Sequence, residues 1–107
     1  MSNTFFNNYF QLIHEKLDHV SIDDLIKVAD LAKKTSKLNR KIIIAGNGGS
    51  AAMASHVSVD FTKVGKIRTI NFNEADLLTC FANDYGYESV FEKAVEFYGD
   101  EKDMLIL

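Results

Sequence analysis

Residues Lys41-Ile42-Ile43-Ile44-Ala45 run straight into Gly46-Asn47-Gly48-Gly49-Ser50, and an Ala- and Met-rich helical stretch follows from Ala51 to about Lys63. A short, unbroken β-branched run marks a strand buried on both faces. Glycines set between such a strand and a helix point to a parallel sheet whose connections are helices. The remaining pattern agrees. Ile67 to Phe72 reads as a second strand, and Met104-Leu105-Ile106-Leu107 as a third, also buried. Asn73, with Asp76 three residues on, is expected to cap a helix through Leu77, Leu78 and Phe81. A loop around Asn83 to Gly86 and a helix from Glu88 to Tyr98 complete the alternation.

Two helices precede this unit. From about Thr4 to His19, Phe6, Tyr9, Phe10, Ile13, Leu17 and Val20 recur at helical spacing. Ser21 with Asp24 forms an N-cap signature for a second helix carrying Leu25, Val28, Ala29 and Ala32. Its basic end, from Lys33 to Lys41, complements the helix dipole and reads as a solvated terminus. The expected division is a helical hairpin over 1–38 and an α/β unit over 39–107. A third strand with no loop and helix behind it reads as a truncated sheet, because such folds place ligands beyond the C-terminal ends of their strands.

Composition removes several classes of function. A formal net charge of −3 gives no electrostatic footprint for nucleic acid or an anionic membrane. No apolar run approaches the ~20 residues that span a bilayer, and the opening MSNTFFNNYF lacks the features of a signal peptide. The single cysteine, Cys80, has no internal partner, which suits a reducing compartment. The expected location is the cytoplasm.

Three of the six glycines fall at 46, 48 and 49. Glycine permits positive φ and lets a ligand approach the backbone, and the helix behind it offers free N–H groups and a partial positive charge. Ser50 adds a hydroxyl and Asn47 an amide. Together these suit phosphate; a tight turn with Ser50 as a simple N-cap is the plainer alternative. No Lys-Ser or Lys-Thr pair closes a P-loop. Gly46, Gly48 and Ala51 half-match a dinucleotide fingerprint, with Glu74 as the sole acidic candidate for a ribose, a weaker fit than a sugar phosphate.

Farther along the helix, His56 and Asp60 lie four apart and share a face, a spacing that serves metal ligation, proton transfer or a plain surface pair. Met53 and Val57 are expected in the core. In Asn83-Asp84-Tyr85-Gly86-Tyr87, Asp84 is suited to accept sugar hydroxyls, while Asn-Asp in a turn also serves local capping.

The segments GNGGSAAMASHVSVDF (46–61) and FANDYGYESVF (81–91), in this order behind paired helices, resemble the SIS (sugar isomerase) domain and, within it, the phosphoheptose isomerases. The resemblance spans most of the chain. It implies a Rossmann-like, three-layer α/β fold in a homotetramer with sites at subunit interfaces. The implied reaction converts sedoheptulose 7-phosphate to D-glycero-D-manno-heptose 7-phosphate for lipopolysaccharide or capsule. It further implies that Asn47, Gly48, Gly49, Ser50, Asn83 and Asp84 contact the sugar phosphate. His56 becomes a zinc ligand, and Asp60 both a zinc ligand and the catalytic acid or base.

Position 60 is Asp where the well-known isomerases have Glu, which draws the carboxylate back by ~1.5 Å. The family's Ser/Thr-rich phosphate loop and its later Gln and His have no counterpart in these 107 residues. A base next to the carbonyl would generate a cis-enediol, a role the resemblance assigns to Asp60. The alternative is a non-catalytic regulator that binds a replication initiator, as the DnaA initiator-associating relatives do; His56 and an acidic residue 60 beside an intact GNGGS favour the enzyme.

Overall fold

A computed structural model describes residues 2–107. The run of three isoleucines forms β1 (Ile42–Ile44), and its β-branched side chains fill both faces of a pleated ribbon. Strand β2 (Thr69–Asn71) and strand β3 (Met104–Ile106) flank it in the order β2-β1-β3, all parallel. Ile43 lies opposite Ile70 on one side and Leu105 on the other.

Because side chains alternate across a strand, β1 feeds two cores. Ile42 and Ile44 pack with Ala32 of α2 (Ile22–Lys37), Ala54 of α3 (Gly49–Lys63), Ile67 and Met104. Ile43 and Ala45 pack on the opposite face with Phe72 and Ala94, backed by Leu77, Phe81, Phe91 and Val95. Those residues come largely from α4 (Ala75–Tyr85) and α5 (Val90–Tyr98), which a short 3-10 turn (Tyr87–Ser89) joins. The result is a three-layer α/β sandwich, as the strand–helix alternation predicted. Ile42 and Ile43 are the largest fully buried side chains, and burying each contributes about 1.5–3 kcal/mol.

The two N-terminal helices behave differently. No residue of α1 (Asn3–Asp18) is buried, and Phe6, Tyr9, Phe10, Ile13 and Leu17 of the predicted stripe are all exposed. The Cα radius of gyration is 17.4 Å, against about 13 Å for a compact domain of this length, so α1 stands away from the sandwich. The Ser21 cap forms as expected, its Oγ accepting from the Asp24 N–H at 3.2 Å.

Several local expectations are corrected. Asn83, Asp84 and Tyr85 belong to the last turn of α4 and not to a loop; the helix stops only at Gly86, whose φ of 88° suits glycine. Asn73 does not cap α4. Its Nδ2 donates to Ala51 O and to Ser55 Oγ, both at 2.7 Å, and so ties the end of β2 to α3. Met53 is 64% and Val57 37% exposed, outside the core, because Ala54 and Ser58 occupy the face of α3 that meets the sheet. Among the described residues strand β3 pairs only with β1, and Leu105 and Leu107 are exposed where a buried strand was expected.

The edge of the sheet opposite the glycines carries an ionic clasp. Lys41 Nζ lies 2.6 Å from Asp103 Oδ2 and 2.7 Å from Asp100 Oδ2, with the Lys41 and Asp103 side chains 13% and 6% exposed. The Lys41 N–H donates to Asp103 Oδ1 at 2.9 Å, so the clasp joins the entrances of β1 and β3.

Candidate functional site

The glycine loop lies where β1 ends and α3 begins, at the C-terminal edge of the sheet, the usual ligand side of parallel α/β folds. Its glycines meet different demands. A Cβ on Gly46 would sit 2.8 Å from the Ser50 backbone carbon, so the close return of the loop onto its own helix requires glycine there. Gly48 is the N-cap of α3 at φ 54°, ψ −118°, a conformation that side chains disfavour. Gly49 is subject to neither constraint, since a Cβ there would meet nothing within 4 Å.

In the first turn the Ser50 and Ala52 N–H groups donate to the Asn47 and Gly48 carbonyls. The N–H groups of Gly49 and Ala51 find no backbone acceptor among the described residues. They stand at the positive end of a 15-residue helix. The Ser50 hydroxyl likewise makes no hydrogen bond among the described residues, and Ser50 borders a recess of about 230 Å³ with Ile44, Ala45, Met53 and Ile106. This cradle offers donors to an anion. Ser50 is inside the first turn rather than at the cap, so the simple N-cap alternative does not describe it.

His56 and Asp60 come together as their spacing predicts, Nε2 to Oδ2 at 3.5 Å, with side chains 81% and 57% exposed. Two ligands of a tetrahedral zinc stand about 3.3 Å apart when each bond is about 2.05 Å, so the pair fits one edge of such a site. No group of three or more His, Cys, Asp or Glu suited to a metal occurs among the described residues.

Asn83 and Asp84 bond locally: Asn83 Nδ2 donates to Asp84 Oδ1 at 2.9 Å, and Cys80 Sγ lies 3.7 Å from Asp84 Oδ2. The Asp84 carboxylate pushes the Cys80 thiol up from its ordinary pKa, which holds it protonated and makes it a poor nucleophile. The bridge from this segment to the loop is Tyr87, whose hydroxyl donates to Asn47 Oδ1 at 2.9 Å.

Sequence reasoning missed Tyr87, and it also missed the polar strap under α3. There Asn71 Nδ2 donates to Ser58 Oγ at 2.9 Å beside the Asn73 bonds. A signal for the strap was present in Ser55 and Ser58, three apart on one helix face, with Asn71 and Asn73 at a strand end.

No family model matches the chain. It is 40% identical over 87 residues to the phosphoheptose isomerase of Fusobacterium nucleatum, a match covering 75% of this chain and 44% of that protein. It is 34% identical over 96 residues to the phosphoheptose isomerase of Clostridium acetobutylicum, covering 79% and 46%. The chain spans about half the length of the curated relatives it matches. Among solved structures, phosphoheptose isomerase GmhA from Neisseria gonorrhoeae matches with a TM-score of 0.83 at 29% identity, over 95% of this chain and 55% of that one. A phosphoheptose isomerase from Francisella tularensis shares the fold with a TM-score of 0.85 at 24% identity, over 98% and 59%.

Proposed function

We propose that this chain, which belongs to the phosphoheptose isomerase family and corresponds to the N-terminal part of its fold, holds the substrate end of a sugar-phosphate isomerase. The reaction is the interconversion of sedoheptulose 7-phosphate and D-glycero-D-manno-heptose 7-phosphate, which feeds heptose into lipopolysaccharide or capsule. The observation that carries this reading is Gly49, where the chain itself has no use for a missing Cβ although the neighbouring amides lack acceptors. A bare backbone beside free N–H groups is what a close-lying phosphate or sugar oxygen requires. Gly49→Val is therefore expected to leave thermal stability within about 1 kcal/mol, since the added atoms begin in open space. The same variant should weaken inorganic phosphate binding more than tenfold, followed by backbone amide NMR shifts of residues 47–51. Unchanged affinity would move the anion elsewhere.

In the reaction, Asn47, Gly48, Gly49 and Ser50 bind the substrate, and Asn83 and Asp84 bind its hydroxyls. Asp60 takes the proton from the carbon next to the carbonyl and returns it to the neighbouring carbon through a cis-enediol. Its side chain is 57% exposed, so the water exclusion that favours such a step must come from surfaces packed over α3. Zinc, when bound, would polarise the carbonyl, and His56 and Asp60 are the side chains that would hold it. Zinc retained after dialysis is expected to fall at least tenfold in His56→Ala. Undiminished metal content would remove zinc from α3.

The exposed α1 supports a homo-oligomer, a tetramer by family resemblance. An amphipathic helix with no buried residue and Phe5, Phe6, Tyr9, Phe10 and Leu12 in water is stable only when its apolar side is covered. Light scattering should give a multiple of the chain mass for the parent and a monomer for the Phe10→Glu, Leu17→Glu double variant. A monomeric parent would sink the oligomer. A cytoplasmic location goes with this reading, and no helix among the described residues is long and apolar enough to cross a membrane. The initiator-binding alternative is not favoured, since the relatives in hand carry the isomerase name.

A further inference from the structure

Tyr87 has no part in the reaction described so far. Gly86, at φ 88°, ends α4 and turns the chain into the 3-10 segment that begins with Tyr87. The tyrosine is 66% exposed, so core burial does not place it. Its one side-chain hydrogen bond crosses 40 residues of sequence to Asn47 Oδ1, at 2.9 Å. Asn47 sits between Gly46 and Gly48, where little else restrains a side chain, and its Nδ2 has no acceptor among the described residues. Both residues border a cleft of about 110 Å³ lined also by Leu78, Glu88, Val90 and Phe91.

We propose that Tyr87 is a positioning residue for the glycine loop, fixing which end of the Asn47 amide meets the ligand. In the structure the phenol donates to Oδ1 and both Nδ2 hydrogens are left for an oxygen-rich anion, whereas a turned amide would give one Nδ2 hydrogen to the phenol oxygen. Without the phenol no side-chain hydrogen bond among the described residues holds the amide about its broad, roughly two-fold terminal torsion, and Oδ1 and Nδ2 can exchange places. The inference rests on the phosphate reading of the glycine loop. The ligand class is the same, a phosphate or the hydroxyls attached to it, and Tyr87 sets the donor polarity of the cradle.

The test is a double-mutant cycle read with inorganic phosphate on the parent, Tyr87→Phe, Asn47→Ala and the double variant, with Gly49→Val as reference. Tyr87→Phe is expected to weaken phosphate about three- to tenfold in the parent, the scale of one hydrogen bond, and to have no further effect once Asn47 is alanine. In the ligand-free chain, the Asn47 Nδ2 proton resonances should also shift and broaden in Tyr87→Phe, which a general loss of stability would not produce on its own. Unchanged affinity in Tyr87→Phe, with Gly49→Val still weakened, overturns the positioning role and leaves the phosphate site standing. Equal weakening in both backgrounds overturns it too, because Tyr87 would then act without Asn47. If the parent binds no phosphate, or Gly49→Val binds as the parent does, the phosphate reading fails and this inference falls with it.

Discussion

Assayed alone, the 107 residues are expected to convert sedoheptulose 7-phosphate at less than about one-thousandth of the rate of the Fusobacterium nucleatum isomerase. On the proposed reading the chain contributes an anion cradle and one His–Asp pair. Tetrahedral zinc takes four ligands, and proton transfer between two carbons benefits from a second acid or base. Removing one preorganised donor from a transition state costs about 3 kcal/mol, roughly a hundredfold, and residues that act as a unit are lost together. Two absent donors already exceed a thousandfold by this reasoning. The shorter carboxylate at position 60 works in the same direction, since a displacement of about an ångström can cost about a hundredfold. Product formation followed by NMR checks the expectation. Turnover within tenfold of the relative would mean that the roles of acid, base and metal ligand are filled from within these residues.

The largest stability effect should come from the other edge of the sheet. Burial pushes the Asp103 carboxyl up, but hydrogen bonds from the Lys41 ammonium and from the Lys41 and Asp100 N–H groups outweigh it, and its pKa ends below the ordinary carboxylate value. For Lys41, burial works to lower the ammonium, yet hydrogen bonds from it to Asp100 and Asp103 leave its pKa above the usual lysine value. The signs follow directly. A carboxyl depressed in the folded state stabilises above its unfolded pKa near 4, and that stability is lost as pH falls through the lower folded value. An ammonium raised in the folded state stabilises below about 10.4, and that contribution is lost as pH rises through the higher folded value. The clasp is thus at full strength between about pH 4 and pH 10.

Asp103→Ala leaves Lys41 only the more exposed Asp100, whose side chain is 59% accessible, and removes the acceptor of the Lys41 N–H. Breaking a largely buried pair costs about 3 kcal/mol, and urea unfolding at pH 7 should show a loss of that size. The difference from the parent should shrink as pH falls below about 4, where the parent's own carboxyl takes up its proton. A loss under 1 kcal/mol, or one independent of pH, would show that the clasp contributes little to holding β3 against β1.

The strands and helices were legible because each rests on short-range causes. Three consecutive isoleucines admit little but a doubly buried strand, and Ser21 with Asp24 is enough to start a helix. The glycine loop was legible for the same reason, since the constraints that require Gly46 and Gly48 act within five residues of one another. The i, i+4 rule likewise brought His56 to Asp60. Reading failed where two local preferences competed. Asn83 and Asp84 suit a turn in isolation, yet the helix continues through them to the first residue free to take positive φ, which is Gly86. Asn73 suits a cap, yet α3 offers it two acceptors that no local pattern announces.

Sequence alone therefore determined the layered α/β class, the position of the glycine loop between strand and helix, and the resemblance to the phosphoheptose isomerases. What only the tertiary structure decided depends on the order β2-β1-β3, which sets who meets whom across long stretches of chain. Asp103 reaches the Lys41 N–H across 62 residues because parallel strands bring their starts to one edge, and Tyr87 reaches Asn47 across 40 because the turn between α4 and α5 lies against the glycine loop. A hydrogen bond senses distance in space, whereas local propensity senses distance along the chain, and at those separations the first carries no trace in the second.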